Sequence, residues 1–370
     1  MHTAGRVRRT ILAVTEYPFM TRALELAERG RFSVSPNPMV GCVIEREGEI
    51  LGEGFHQRAG EAHAEIEALR SCKEDPRGAT AWVTLEPCGH LGRTPPCVDA
   101  LVKAGIRRVS MAIKDPFPAV NGKGIEALER AGLHVVVGAG AREAALLNEK
   151  FLHSVRAERP FVLLKAGMTL DGKLASISRK PLPITSPESR QRSLELREEY
   201  DAILVGSGTV ISDDPQLTRR LNLNTSATPW RRIVVDSIGR MPGAARLLTD
   251  GSPTTVFTRF PDSIVPAPNL ELVESPGKGR IDLDFVLVTL HSLGIRSIIA
   301  EGGSTLHSEL IRKRLWQKMT LFVAPTVLGG ASAPSIFEDE GIVELTDAPN
   351  FRFDRVESLG RDLMITAYPQ

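Results

Sequence analysis

Two short stretches govern the interpretation of the first half of this chain: HAE at residues 63–65 and EPCGHLGRTPPC at residues 86–97. Helical periodicity begins at the first stretch, and a short apolar run at residues 81–85 is typical of a β-strand that leads into the second. Side chains can converge where a helix starts and where a strand ends. We therefore expect the histidine and the two cysteines of these stretches to meet.

These residue types suit a catalytic zinc ion, which takes three protein ligands and leaves its fourth position to water, whose pKa falls towards neutrality. His63, Cys88 and Cys97 would supply that set. Deamination also needs a proton carrier that is not a ligand, because hydroxide attacks the amidine carbon while the departing amine must be protonated. Glu65 fits this role, so we predict a zinc-dependent deaminase of an aminopyrimidine.

The same cysteines have two simpler interpretations, a structural zinc site with four ligands or ordinary burial. A structural site would need His90 or Cys42 as its fourth ligand, and it would have no use for the carboxylate of Glu65. An open catalytic site is therefore favoured. The second cysteine follows the first by nine residues, a longer spacing than the P-C-x-x-C of nucleobase deaminases.

Composition excludes several classes of function. The 370 residues are 42% hydrophobic and 25% charged, which is ordinary for a soluble globular protein. With 46 Lys and Arg against 45 Asp and Glu, no positive field attracts nucleic acid or an anionic bilayer, so a small-molecule substrate is favoured.

Four cysteines are too few for a disulfide scaffold of this size. The N-terminal apolar run is too short for an export signal, and we expect a cytoplasmic protein without a membrane partner.

The length predicts two domains, because 370 residues exceed what one hydrophobic core usually organises. We expect an N-terminal tail over residues 1–15, a first domain over 16–155 and a second over 156–370, with the boundary in the polar, proline-ended segment 156–160. Strand and helix patterns alternate in both halves, which indicates two layered α/β domains.

Local patterns predict individual elements. In the first half we expect a helix over residues 17–30 whose final glycine is a left-handed C-cap, a β-hairpin from strands 40–44 and 50–54 around Gly48, and a helix over 141–153. The strand candidates of the second half are residues 161–165, 202–205, 232–236, 254–257, 297–300 and 320–324.

Two buried strands of the second half end in glycines, in AILVGSGT at residues 202–209 and IIAEGGSTL at residues 298–306. Exposed amides at such a helix start bind phosphate well, which favours a dinucleotide. Neither segment is a G-x-G-x-x-G fingerprint, and glycines also serve simple turns. On the pattern alone, both interpretations stay open.

The stretch at residues 86–97, with PNPMVG at residues 36–41, closely resembles the deaminase half of the bifunctional riboflavin-biosynthesis deaminase-reductase family, which has a cytidine-deaminase-like fold. That family deaminates 2,5-diamino-6-(5-phosphoribosylamino)pyrimidin-4-one, the product of GTP cyclohydrolase II. The resemblance implies that four residues hold the ring and the phosphoribosyl group: Asn37, His56, His90 and Arg93. An amide and imidazoles can read ring edges, and a guanidinium can bind phosphate. Their other interpretation is that Asn37 shapes a turn and that His56 and Arg93 are solvated loop residues.

Three further stretches resemble the reductase half of the same family: KAGMTLDGK at residues 165–173, SDDPQLT at 212–218 and EGG at 301–303. This half has a dihydrofolate-reductase-like α/β fold and reduces the ribosyl chain to a ribityl chain with NADPH, so positioning dominates its catalysis. By resemblance, the NADPH site comprises Gly167, Pro183, Thr209, Asp213, Ser237, Gly303, Ser304, Thr305, Leu306, His307, Ser308 and Glu309. The reductase substrate would meet Lys165, Pro181, Arg197, Leu217, Arg220 and Glu301.

The chain departs from the family pattern in one loop. Pro183 stands where the family commonly has a tryptophan before Ile-Thr-Ser, and Pro181 replaces a polar substrate contact. We expect stacking against the nicotinamide to be absent there or to be supplied by another residue.

The leading hypothesis is thus a bifunctional enzyme that uses one zinc ion per deaminase site and NADPH, and that forms a homo-oligomer. A second hypothesis is a nucleic-acid or nucleoside base deaminase with a nucleotide-binding regulatory C-terminal half. A near-zero net charge and the lack of an aromatic-rich basic surface argue against it. A third is a non-catalytic, zinc-stabilised binding protein, against which Glu65 speaks.

Overall fold

A computed structural model describes residues 17–89, 96–178, 183–338 and 341–370. These residues form two compact units. The first extends to Ala157 and includes Thr225–Ala227, and the second comprises Glu158–Asn224 and Thr228–Gln370. No helix among the described residues is both long and apolar enough to span a bilayer.

The first unit is a five-stranded sheet with helices packed against it. Its strands lie in the order β2-β1-β3-β4-β5, with β1 antiparallel to both neighbours and β3, β4 and β5 parallel. The elements are α1 (Pro18–Glu28), β1 (Gly41–Arg46), β2 (Glu49–Phe55), α2 (Ala64–Arg70), β3 (Thr80–Val83), α3 (Cys97–Lys103), β4 (Arg108–Met111), α4 (Lys123–Arg130), β5 (His134–Val137), α5 (Ala141–Leu147) and α6 (Glu149–Ala157). The predicted layered α/β architecture is confirmed for this unit.

The predicted hairpin forms as β1 and β2, with Glu47 and Gly48 both at positive φ in a two-residue turn. The predicted C-cap at Gly30 is wrong, since Arg29 caps α1 with φ −62° and Gly30 is not left-handed. A glycine suits the space there, because a Cβ would lie 3.0 Å from the His56 backbone oxygen and 2.8 Å from Val34 Cγ1. The single helix predicted over 141–153 is also wrong, because Asn148 separates α5 from α6.

Two glycines of β2 allow α2 to lie directly on the sheet. A Cβ on Gly54 would lie 2.3 Å from the Ala68 nitrogen, and one on Gly52 would lie 2.3 Å from the Ala68 oxygen. Any larger side chain would push α2 away from the sheet, because backbone atoms cannot yield as a side chain can. This close approach sets the position of the first turn of α2, where the HAE stretch lies.

The second unit is a nine-stranded sheet in the order β10-β9-β8-β7-β11-β6-β12-β14-β13, in which only β14 runs antiparallel to its neighbours. Its elements are β6 (Phe161–Thr169), α7 (Pro187–Glu198), β7 (Ala202–Gly206), α8 (Ser207–Asp213), β8 (Arg231–Asp236), β9 (Thr254–Thr258), β10 (Leu270–Glu274), α9 (Leu283–Ser292), β11 (Ser297–Ala300), α10 (Ser304–Arg312), β12 (Lys318–Ala324), β13 (Phe351–Leu359) and β14 (Asp362–Pro369). All six predicted strands are present, and β10, β13 and β14 were not predicted.

The sheet of the second unit is covered by apolar side chains on both faces. Along β6, Val162 and Leu164 belong to one core cluster while Phe161 and Leu163 belong to the other. Burial on both faces explains why the parallel strands appear in the sequence as continuous apolar runs. Because β7 and β11 are neighbours, the two glycine-rich segments leave the sheet side by side.

We predict that Leu290→Ala lowers the free energy of unfolding by about 2–5 kcal/mol, because it removes a fully buried side chain of α9 and leaves a cavity. Val288→Ala on the same helix is the matched control, since Val288 is 45% exposed, and it should change the free energy by no more than about 0.5 kcal/mol. Urea unfolding followed by circular dichroism measures both. Equal midpoint shifts for the two variants would contradict the core assignment.

Candidate active sites

The predicted zinc ligands come from three segments of the first unit. His63 is the N-cap of α2, with an extended backbone and no capping hydrogen bond from its side chain. Cys88 follows β3 after a four-residue connection, and Cys97 is the first residue of α3. The backbone N–H of Cys97 donates to the Cys88 sulfur over 3.4 Å, which joins the last two segments.

The three ligand atoms lie within 4.8 Å of one another. His63 Nδ1 is 3.2 Å from Cys97 Sγ and 3.5 Å from Cys88 Sγ. Tetrahedral zinc with ordinary bond lengths separates such atoms by about 3.5–3.8 Å, so the residues fit the metal. Among the described residues these three form the whole cluster, and Cys42 is not a member. His90, the other candidate for a fourth ligand, lies outside the described residues.

The electrostatics also suit a cation. Hydrogen bonds from Cys97 and His63 hold the pKa of the Cys88 thiol well below its usual range, despite its burial. The thiolate is the form that binds a metal. Glu65 is buried beside this group, where desolvation raises its pKa to about 7. A bound dication would act in the opposite direction, because it stabilises the carboxylate.

Asn37 and His56 are brought to the same place. Asn37 Nδ2 donates to His56 Nε2 over 3.0 Å, and the other ring nitrogen of His56 donates to the Ala62 oxygen over 3.0 Å. This network assigns a neutral imidazole, and burial lowers the pKa of His56 accordingly. The ring of His56 meets that of His63 edge to face at 5.5 Å. Arg93, the remaining predicted contact, lies outside the described residues.

Asn148 was missed by the sequence reasoning. Its buried side chain accepts from the Met39 nitrogen and donates to the Met39 oxygen, each over 2.8 Å. The amide thereby fixes the backbone two residues beyond Asn37. The sequence signal that could have revealed it is an asparagine that interrupts an apolar helical pattern.

In the second unit, Lys165, Arg197 and Glu301 form a largely buried cluster of charges, with side chains 11–14% exposed. Glu301 accepts from Arg197 Nε over 2.8 Å and Nη2 over 2.9 Å, and from Lys165 Nζ over 3.2 Å. The two cations hold the pKa of Glu301 at about 2 despite its desolvation. Glu301 directly follows β11, between the carboxyl ends of β7 and β6, where ligands bind in α/β sheets.

The residues predicted along α10 do not share one surface. Gly303 and Thr305 are exposed, whereas Leu306 packs in the core and His307 is buried with Nε2 3.3 Å from the Ala300 oxygen. Ser304 and Ser308 both hydrogen-bond to Glu338. Glu309 pairs with Arg312 and Lys313. A helix cannot turn seven successive side chains towards one ligand, so only part of this run can face NADPH.

The other predicted contacts are spread over a strand, a helix and several loops. Gly167 is in β6, Thr209 and Asp213 are in α8, and Ser237 follows β8. Leu217, at φ +53°, accepts the indole N–H of Trp230 through its carbonyl oxygen. Arg220 and Pro183 are exposed, and Pro181 lies outside the described residues.

Glu198 is a second residue that the sequence did not reveal. It is fully buried, and its carboxylate accepts from the Leu221 nitrogen over 3.0 Å and the Asn224 nitrogen over 3.1 Å. It thus anchors the loop that carries Leu217 and Arg220 to the last turn of α7.

Comparisons with known proteins agree with this arrangement. The family profile described as "Cytidine and deoxycytidylate deaminase zinc-binding region" matches residues 14–113, and the profile described as "RibD C-terminal domain" matches residues 160–365. Riboflavin biosynthesis protein RibD of Escherichia coli (strain K12) is 42% identical over 94% of this chain and 97% of its own length.

Solved structures give the same result. Acinetobacter baumannii RibD, form 1, superposes with a TM-score of 0.85 at 38% identity, covering 95% of this chain and 98% of that one. A diaminohydroxyphosphoribosylaminopyrimidine deaminase/5-amino-6-(5-phosphoribosylamino)uracil reductase from Thermotoga maritima gives 0.85 at 35% identity, with the same coverage. With relatives above 30% identity along nearly its whole length, the chain belongs to the family of riboflavin biosynthesis protein RibD.

Proposed function

We propose that the first unit deaminates 2,5-diamino-6-(5-phosphoribosylamino)pyrimidin-4-one by hydrolysis, and that the second unit then reduces the ribosyl chain of the product with NADPH. The convergence of His63, Cys88 and Cys97 around one point, with Glu65 buried beside it, carries the proposal. The match of residues 160–365 to the RibD C-terminal domain disfavours a regulatory nucleotide-binding half.

In the deaminase, the three ligands would hold one zinc ion, which lowers the pKa of water so that it can attack the ring. Glu65 would take a proton from the attacking water and deliver it to the departing amine. Glu65 is buried beside the ligand atoms and is not itself a ligand, so its carboxylate is free to carry the proton in both directions. Burial keeps bulk water from competing for that proton.

Asn37 would read the edge of the pyrimidinone. One N–H of its amide is given to His56, and an amide carries a second N–H and an acceptor oxygen. Such a donor–acceptor pair matches the exocyclic amine and ring nitrogen of an aminopyrimidine. Because its two hydrogen bonds require a neutral imidazole, His56 would orient Asn37 without placing a second cation beside the metal.

In the reductase, NADPH would supply a hydride to C1′ of the ribosyl chain when bound. Lys165 and Arg197 together exceed the single charge of Glu301, so the buried cluster is net positive and suits a substrate phosphate. Glu301 would accept hydrogen bonds from ribosyl hydroxyls. Arg220, exposed on the loop held by Glu198, can reach an anionic group.

The proposal also covers the localisation, the oligomeric state and the partners of the protein. We infer a cytoplasmic enzyme that forms a homo-oligomer and binds neither nucleic acid nor membranes. A total formal charge of +1 supports the inference that the protein binds neither nucleic acid nor membranes. Sedimentation velocity on the full chain would test the oligomeric state.

We predict that Glu65→Gln lowers deamination by about 10²–10⁴-fold, because glutamine keeps the shape but cannot carry a proton. Zinc content should stay unchanged, since Glu65 is not a ligand. Ammonia release and metal analysis measure the two quantities. Glu67→Gln on the same helix, which loses only an exposed pair with Arg70, is the matched control and should retain activity. Full turnover in Glu65→Gln would refute the assignment.

We predict that Cys88→Ser removes zinc and ammonia release but leaves NADPH oxidation intact when the deaminated pyrimidine is supplied. The reductase residues lie in a unit with its own core, so they do not need the metal. Cys72→Ser, at a half-buried thiol outside the ligand cluster, should keep both activities. Ammonia release by zinc-free protein would contradict the proposed mechanism.

We predict that Glu301→Gln lowers kcat/KM of the reductase by about 10–100-fold, because charged hydrogen bonds contribute about 1.5–3 kcal/mol each. NADPH oxidation with the deaminated substrate measures the effect, and ammonia release should not change. Glu274→Gln, at an exposed end of β10, is the control. An unchanged kcat/KM in Glu301→Gln would show that this carboxylate does not serve the substrate.

A further inference from the structure

Glu86 is a buried carboxylate two residues before Cys88 that the mechanism above does not use. It accepts four backbone N–H groups from one segment, residues 115–125, here named the covering loop. Oε2 accepts from Asp115 at 3.2 Å and Gly122 at 3.0 Å, and Oε1 accepts from Gly124 at 3.0 Å and Ile125 at 3.3 Å. Within the part of the chain that the structure describes, no side-chain cation pairs with Glu86, so these amides stabilise its buried charge.

The covering loop also packs directly on the metal-binding segment. A Cβ on Gly124 would lie 2.0 Å from the Pro87 oxygen, and one on Gly89 would lie 3.2 Å from the Lys123 oxygen. Backbone therefore meets backbone on both sides of Cys88. Such contacts leave the loop little freedom to move without moving the cysteine.

Val120 is the part of the covering loop that reaches the metal ligands. It is 4% exposed and packs with Cys88 and Cys97 in a small apolar cluster against which Ile66 also lies. The turn that presents Val120 is closed by two hydrogen bonds, from the Val120 nitrogen to the Phe117 oxygen over 2.8 Å and from the Lys123 nitrogen to the Val120 oxygen over 2.7 Å.

We propose that Glu86 is a positioning residue of the metal centre: it fixes the covering loop so that Val120 covers both cysteine sulfurs and slows exchange of zinc with the solvent. This inference rests on the zinc ligand set of the proposed function. A carboxylate serves better than an amide, because both of its oxygens accept and neither donates. Thiolates shielded by an apolar side chain are less accessible to water and to competing ligands.

The test compares zinc release from full-length, zinc-loaded protein into excess 4-(2-pyridylazo)resorcinol. Glu86→Gln keeps the side-chain shape but turns an N–H₂ group towards backbone N–H groups, so at least one pair loses its acceptor. We expect zinc release to accelerate about tenfold or more, in line with the effect of removing groups that support ligands. In the cobalt-substituted protein, the thiolate-to-cobalt charge-transfer band should shift or weaken.

Val120→Ala is an independent variant that uncovers the sulfurs and leaves all four Glu86 hydrogen bonds in place, and it too should release zinc faster. Leu24→Ala removes a fully buried side chain from another core cluster of the same unit, and it controls for general loss of stability. Release at the wild-type rate from Val120→Ala would overturn the proposal, even if Glu86→Gln failed to fold. Equally fast release from Leu24→Ala would also overturn it. A wild-type protein that binds no zinc would instead refute the proposed function itself.

Discussion

The deaminase site depends on the close approach of α2 to β2, because that contact determines where His63 and Glu65 lie. Gly52 and Gly54 bring backbone atoms of strand and helix together at distances that any side chain would prevent. Cys88, in the segment after β3, and Cys97, at the start of α3, then approach the histidine, and the three ligand atoms lie within 4.8 Å of one another. A metal centre requires positions accurate to a fraction of an ångström, which packed backbone provides better than a mobile loop.

The second unit holds its polar side chains in position by charge pairing instead of by close backbone packing. Taking Glu301, Lys165 and Arg197 out of water is costly, and the cost is offset only because both cations hydrogen-bond to the one carboxylate. Each member is consequently held in one geometry before any substrate arrives. The surplus positive charge stays available to an anionic ligand, which is how a buried cluster can serve binding as well as stability.

The sequence was most informative where chemistry demands particular residue types. The convergence of His63, Cys88 and Cys97 and the six predicted strands of the second unit are confirmed, because metal-binding residue types and burial on both faces are recognisable in a sequence. The roles given to these three residues and to Glu65 stay predictions. The hairpin of β13 and β14 and the edge strand β10 were missed, since their residues are only partly buried and lack a continuous apolar run. Gly30 was assigned to a left-handed cap, whereas it is required by a tertiary contact that no local pattern can reveal. The run from Gly303 to Glu309 was assigned as a block, although helical geometry divides it between solvent, core and ion pairs.

The residues that sequence reasoning missed share one physical property. Each has a buried polar side chain that hydrogen-bonds to backbone groups of a neighbouring segment. Asn148 hydrogen-bonds to both the nitrogen and the oxygen of Met39. Glu198 accepts the backbone N–H groups of Leu221 and Asn224, and Glu86 accepts four backbone N–H groups of the covering loop. Such groups are expensive to bury unless every hydrogen bond is made, so each can stabilise only one conformation of its loop. His63, Cys97 and Arg197 lie at helix ends, and Glu301 directly follows β11, whereas the three missed residues fix neighbouring loops. A change at one of them would therefore alter how substrate or metal is held while the chemical groups themselves remain in place.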